Sequence, residues 1–206
     1  MVEAGRSRKG AGSRRGLLAD AAIAVLARNG ARGLTHRAVD REAAVPIGTA
    51  KNYFPTRDCL LAAAAQRMAE EHQDAVSHLR GATPPAVSVT QIGALYPALL
   101  YRTVYSDPAQ MVAMAELYLE AVRRPSVRAA LGEMALANAE SAATLHRMAG
   151  LTTSVSDAGV LDAYLLGLSL SLLALPREVL SAIGLDNPHV LGRGAFEAVA
   201  GPAARR

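Results

Sequence analysis

Apolar residues recur at helical spacing through most of the chain. Leu18, Ala22, Val25 and Leu26 mark one face of a first short helix, and Asn29-Gly30 closes it, because glycine accepts the left-handed conformation beyond a helix end without steric cost. Thr35 is placed as the N-cap of a second helix running to about residue 43. Leu34 before the cap and Val39 at the fourth helical position are spaced to pack across the helix entry. Ala44 and Val45 make a tight connection, and Pro46 suits the first turn of a third helix over 46–53, where its missing N–H would be unpaired anyway. Phe54-Pro55 interrupts the pattern. Thr56 then caps a fourth helix whose first turn carries Asp58, a negative charge that complements the helix dipole.

Downstream, glycine and proline separate longer helical segments over 56–79, 87–105, 108–123, 126–148, 157–175 and 188–200. Residues 84–85 and 151–156 read as loops, and 176–187 as a connection with room for a short helix. No internal repeat is visible. Ala and Leu dominate while Phe occurs twice and Trp never, a mixture that favours helices over strands. The expected fold is all-α: an N-terminal three-helix helix-turn-helix unit at 16–61 and a larger helical domain at 62–206. Residues 1–15, rich in Gly, Ser and Arg, read as a flexible basic arm carrying Arg6, Arg8, Lys9, Arg14 and Arg15, either a solvated tail or a phosphate-contacting one. The longest apolar run, 160–175, contains Asp162 and is shorter than the roughly 20 residues a bilayer span requires. It reads as a buried helix, and no membrane association is expected.

Charge sharpens this division. Residues 1–60 carry eleven Arg/Lys against five Asp/Glu, a net +6, whereas the remainder has a net −2. Such asymmetry points to an anionic partner for the N-terminal third. Cys59 is the only cysteine, so neither an intramolecular disulfide nor a cysteine-based zinc site can form, and a reducing cytoplasm is the expected compartment. The five histidines show no HExxH spacing, and there is no glycine-rich phosphate loop or nucleophile motif, so neither enzyme nor metal nor cofactor chemistry is expected.

Three short helices with a tight turn between the second and third, beneath a basic arm, match the helix-turn-helix layout in which the later helix enters the major groove. Gly48 permits close backbone approach to DNA, and Thr49 offers a hydroxyl and a methyl. Lys51 supplies a mobile charge, Asn52 a base- or phosphate-bonding amide, and Tyr53 a phenol with phosphate reach. Thr35 and Arg37 stand at the start of helix two, where N–H groups also attract phosphate. The run Leu34-Thr35-His36-Arg37-Ala38-Val39, then Ala43-Ala44-Val45-Pro46-Ile47-Gly48-Thr49, then Asn52-Tyr53-Phe54-Pro55-Thr56-Arg57-Asp58 and Leu60-Leu61 resembles the DNA-binding signature of the TetR family. The resemblance covers about 17–61. It implies phosphate contacts from Thr35, Arg37, Thr49, Tyr53 and Arg57, and base-facing positions at Ile47, Gly48, Lys51 and Asn52. Pro46 and Ala50-Lys51 depart from the family's usual residues, so the operator sequence does not transfer.

In the body, Tyr96, Tyr101, Tyr105 and Tyr118 lie close in sequence with Met111 and Met114. Flexible Met and amphipathic Tyr suit an adaptable pocket for an apolar or aromatic effector, although they equally suit ordinary core packing. Glu116, Asn138 and His146 are candidate polar anchors. Ala163, Gly167, Ser171 and Ala174 form a small-residue stripe beside Leu168 and Leu172, which permits close helix approach. By resemblance, this helix and the one at 188–200 build an intersubunit four-helix bundle; burial inside one subunit is the alternative. The combined expectation is a homodimeric repressor that binds a palindromic double-stranded DNA operator and is released by a small-molecule effector. The competing reading is a helical module whose basic face binds an acidic protein or a membrane surface.

Overall fold

A computed structural model describes residues 13–82 and 87–200, with backbone alone over 75–82. Most of the expected basic arm, including Arg6, Arg8 and Lys9, and the 84–85 loop lie outside the described residues. Within them the chain is all-α and contains no strand: α1 (Arg14–Gly33), α2 (His36–Glu42), α3 (Thr49–Tyr53), α4 (Arg57–Ala82), α5 (Val89–Tyr101), α6 (Pro108–Ala121), α7 (Pro125–Met148), α8 (Val155–Ala174), α9 (Arg177–Ala182) and α10 (Pro188–Ala200).

Local chemistry accounts for the boundaries. Ser13 caps α1 by accepting from Gly16 N, so Arg14 and Arg15 belong to the helix rather than to the arm. Gly30 has φ 65°, the left-handed conformation expected after Asn29, and a single further turn precedes Leu34. Thr35 Oγ1 accepts from Ala38 N to cap α2, and Leu34 and Val39 are both buried. The third helix departs from expectation. Pro46, Ile47 and Gly48 form a turn, Gly48 takes φ 97°, and the helix begins only at Thr49. The segment expected at 87–105 divides into α5 and a π turn, Arg102–Ser106. Ser88 and Gln91 form a capping box at its start, and Pro97 withholds one helical N–H from its interior.

One core joins Leu18, Ile23, Leu26, Val39, Ala50, Phe54, Leu60 and Leu61 of the first four helices to Ala113, Leu117, Val127, Leu131 and Met134 of α6 and α7. The expected boundary at 61/62 is crossed by α4 and by this core. A second core sits under α5, α8 and α10, where Ile92, Tyr96, Leu161 and Phe196 meet. The α5–α10 crossing is close because Gly192 carries no Cβ: an added one would lie 2.7 Å from Pro97 Cα.

The expectation of a buried α8 is corrected. By length and composition it is, among the described residues, the one helix able to cross a membrane, with mean hydropathy 1.4 and only 22% of that window buried. Its inner face packs on α7 through Ala158 and on the second core through Leu161. Its outer face carries small and apolar residues with nothing from the same chain over them.

Candidate functional site

The DNA-reading candidates are organised by a residue the sequence pattern did not single out. Asp40, fully buried on α2, accepts from Gly48 N at 2.7 Å and from Ala50 N at 2.7 Å. Its carboxylate therefore caps the short third helix, satisfying N–H groups that otherwise have no intrahelical partner. The far end of α3 is fixed by a ring-nitrogen contact between His36 and the Phe54 carbonyl at 2.6 Å, with the Arg15 guanidinium 4.7 Å over the buried Phe54 ring. The available signal for Asp40 was an acid near the C-terminal end of α2, just ahead of the turn.

With both ends held from beneath, Ile47 (62% exposed), Lys51, Asn52 and Tyr53 (41% exposed) project outward, and Arg37 is exposed beside them on α2. Thr35 stands at the edge of the same surface; its hydroxyl proton remains available although its oxygen caps α2. Thr49 is half-buried and its hydroxyl donates to Pro46 O at 2.6 Å, so it has lone pairs and a methyl to offer but no free donor. Gly48 leaves open space where a Cβ would be.

Arg57 does not join this surface. Its guanidinium donates to Ala31 O at 2.6 Å and Leu34 O at 3.1 Å and pairs with Glu120 at 3.6 Å. Arg124 bridges Glu120 to Asp58, and Glu116 accepts from Ala31 N at 2.8 Å, capping the residue after Gly30. The Arg124 hydrogen bond holds the Glu120 carboxyl below its usual range. These groups tie the end of α1 and the start of α4 to the end of α6, so the recognition unit and the body meet through a polar joint.

The body candidates separate into three places. Tyr96 and His146 are buried and bonded to each other at 2.6 Å, His146 reaches Thr153 at 2.8 Å, and the Tyr96 ring stacks on Phe196 at 5.3 Å. Burial pushes the imidazole down to about 4 and the Tyr96 phenol upward. Tyr101 and Tyr105 lie 5.0 Å apart on the surface, with His189 6.1 Å from Tyr101. Met111 is buried and Met114 packs on the first core. Tyr118 stands on the wall of a cleft of about 390 Å³ with Ala121, Val122, Leu131, Ala135 and the charged Arg128. The candidates are thus not gathered into one pocket.

Of the small-residue stripe, Ala163, Gly167 and Leu168 line an apolar groove of about 570 Å³ between α8 and α10, with Tyr164, Val190, Leu191 and Gly194. Ser171 and Ala174 continue it toward the helix end. Leu172 turns the other way, into a core with Leu100, Val104 and Leu180. Added Cβ atoms at Gly167 and Gly194 would meet nothing within 4 Å. Among the described residues no cluster of His, Cys, Asp and Glu could hold a metal.

Residues 87–201 match the model of the tetracyclin repressor-like C-terminal domain. None of the curated proteins is a significant match. Among solved structures, the multidrug binding protein EbrR in complex with ethidium is 28% identical, with 91% of this chain and 98% of that one covered and a TM-score of 0.65. EbrR with proflavin is 27% identical, with 91% and 99% covered and a TM-score of 0.60. A TetR-family member from Streptomyces coelicolor A3 is 27% identical, with 91% and 98% covered and a TM-score of 0.66. A family model spanning more than half of the chain agrees with the helix-turn-helix head and the all-α body: this protein belongs to the TetR family of transcriptional regulators, which work by binding and not by catalysis.

Proposed function

We propose that the protein is a homodimeric, cytoplasmic repressor that reads a palindromic operator through Arg37, Ile47, Gly48, Lys51, Asn52 and Tyr53 and leaves it when a small apolar or aromatic effector binds the body. The observation that carries this reading is the exposed α3 surface held at both ends by buried contacts. A stretch of five residues has too little helix of its own to present side chains in a fixed direction. Asp40 and His36 supply that direction, and a fixed direction is what base-edge recognition requires.

The apolar face of α8 and α10 supports the dimer. A groove of this composition, with glycines that leave room for a facing helix, is closed by a second copy in a two-fold arrangement. EbrR, similar over nearly its whole length, is a multidrug binding protein, which supports an effector for the body here. The joint of Arg57, Glu116, Glu120 and Arg124 is the route by which a change in the body tilts α4 and alters the spacing of the two heads.

The test is selection of bound duplexes from a random DNA pool, followed by titration of the recovered duplex at several salt concentrations. The expected result is a two-fold symmetric site with half-sites about one helical turn, 34–36 Å, or a multiple apart. A basic surface that binds acidic proteins or membranes would recover no preferred sequence, and that outcome would sink the reading.

A further inference from the structure

Residues 122–124 join α6 to α7, and the cleft of about 390 Å³ lies beside that connection. Tyr118 and Ala121 of α6 line it together with Arg128, Leu131, Gly132 and Ala135 of α7. These positions are three and four residues apart, so each helix gives one face to the cleft. Ala121 and Leu131 are buried and form its floor, and Tyr118, 39% exposed, stands at its rim. A Cβ added at Gly132 would meet nothing within 4 Å, so the missing side chain there keeps the mouth open.

Arg128 is the charged member of this lining, and its guanidinium is already oriented. Nε donates to Ala121 O at 3.1 Å and Nη2 to Val122 O at 2.7 Å, so one edge of the fork is held by the last carbonyls of α6. The other edge, Nη1 with the second Nη2 hydrogen, donates to nothing among the described residues, and no acid there pairs with Arg128. The acids of this corner are engaged elsewhere: Glu120 with Arg57 and Arg124, and Asp58 with Arg124. A planar fork with one edge fixed and the other free matches the two oxygens of a carboxylate. The apolar floor beside it matches an aromatic or aliphatic body, and the volume accommodates two rings.

We propose that the α6–α7 cleft binds an amphipathic organic anion, an aromatic carboxylate in the simplest case. The carboxylate meets the free edge of Arg128, and the rings lie along Tyr118, Leu131 and Ala135. This is a site in its own right, resting on the geometry of the corner and not on the reading of the protein as a repressor released by an effector. The cleft begins at the residue after Glu120, so its occupant sits beside the polar joint to the head.

The experiment compares two probes of one shape, biphenyl-4-carboxylate and its neutral counterpart biphenyl-4-carboxamide, by calorimetry on the full chain without DNA. The wild type is expected to bind the carboxylate at least about tenfold more tightly than the carboxamide. Arg128→Gln is expected to weaken carboxylate binding roughly ten- to hundredfold and to leave the carboxamide within about twofold. Gly132→Leu and, independently, Ala135→Leu place a side chain in the cleft from its open side, and each is expected to abolish binding of both probes. Equal binding of the two probes, no carboxylate binding by the wild type, wild-type carboxylate affinity in Arg128→Gln, parallel loss of both probes in that variant, or unchanged binding in the two filled variants would each overturn the proposal. The DNA selection is independent of it: a chain that recovers a symmetric operator but ignores the carboxylate keeps the repressor and loses the anion site.

Discussion

The recognition unit and the body differ in how completely they pair their buried polar groups. In the head, Asp40 accepts from two backbone N–H groups, and Asp20 of α1 accepts at 2.6 Å from Arg67 of α4, itself 5% exposed. In the body, Tyr96, His146 and Thr153 pair with one another, but Asp162 and Asn138 each leave an acceptor unpaired, and the α8–α10 face leaves apolar surface uncovered. A unit complete in itself presents a fixed surface. One that is incomplete in itself is finished by other molecules, and its state depends on whether they are present.

The strongest way to break this comparison is at Asp40. Asp40→Ala removes a buried cap from two N–H groups, and we expect a loss of about 2–5 kcal/mol in urea unfolding together with loss of DNA binding. Asp40→Asn keeps one acceptor and should cost less than half as much. If Asp40→Ala unfolds like the wild type, the head is not organised as described.

Three glycines sharpen the contrast between surface closed within the chain and surface closed from outside. Gly192→Ala forces a Cβ against the Pro97 backbone and should cost about 1–3 kcal/mol. Gly167→Leu and Gly194→Leu have open space in the single chain, so each should leave the fold intact and shift the protein from dimer to monomer in light scattering at micromolar concentration. A monomeric wild type would remove the basis for this contrast.

Acidification probes the body in a narrower way. The folded His146 titrates at about 4 instead of 6.5, so the unfolded chain takes up that proton first and stability is lost as pH falls from about 6.5 to 4. Asp162 runs the other way: its folded carboxyl titrates at about 6 against 3.8, so the native state gains as pH falls through that window. The two terms oppose each other. Asp162→Asn should therefore steepen the loss of stability on acidification, and His146→Gln should flatten or reverse it, as read by the urea midpoint across the window. The smallest effect expected is at Lys51, whose replacement by Ala should lower the slope of log affinity against log salt by about 1 and leave stability unchanged.

Much of this architecture was legible in the sequence because it is local. The caps at Thr35 and Thr56, the left-handed Gly30 and the packing of Leu34 on Val39 each depend on residues a few positions apart. The third helix starts later than the sequence pattern suggests because proline suits a helix start and a turn equally, and Gly48, with its positive φ, belongs to the turn. Arg57 reads as a phosphate contact by motif, yet carbonyls 23 and 26 residues away claim it. The body was less legible still. Tyr96 and Tyr101, close in sequence, face opposite ways on α5, one buried and one exposed, and Tyr118 belongs to α6, while Leu172 faces inward although its stripe faces out. Asp162 was visible only as a charge interrupting an apolar run; its unpaired oxygen depends on how α7 and α8 cross.

In the proposed mechanism, occupation of the body controls the head. The most direct measurement is the affinity of the dimer for its selected duplex with and without saturating malachite green, with which EbrR forms a complex, with ligand occupancy followed by calorimetry in parallel. Typical couplings of about 1–3 kcal/mol predict a 5- to 150-fold loss of operator affinity in the occupied protein. An occupied body with unchanged operator affinity would contradict the account.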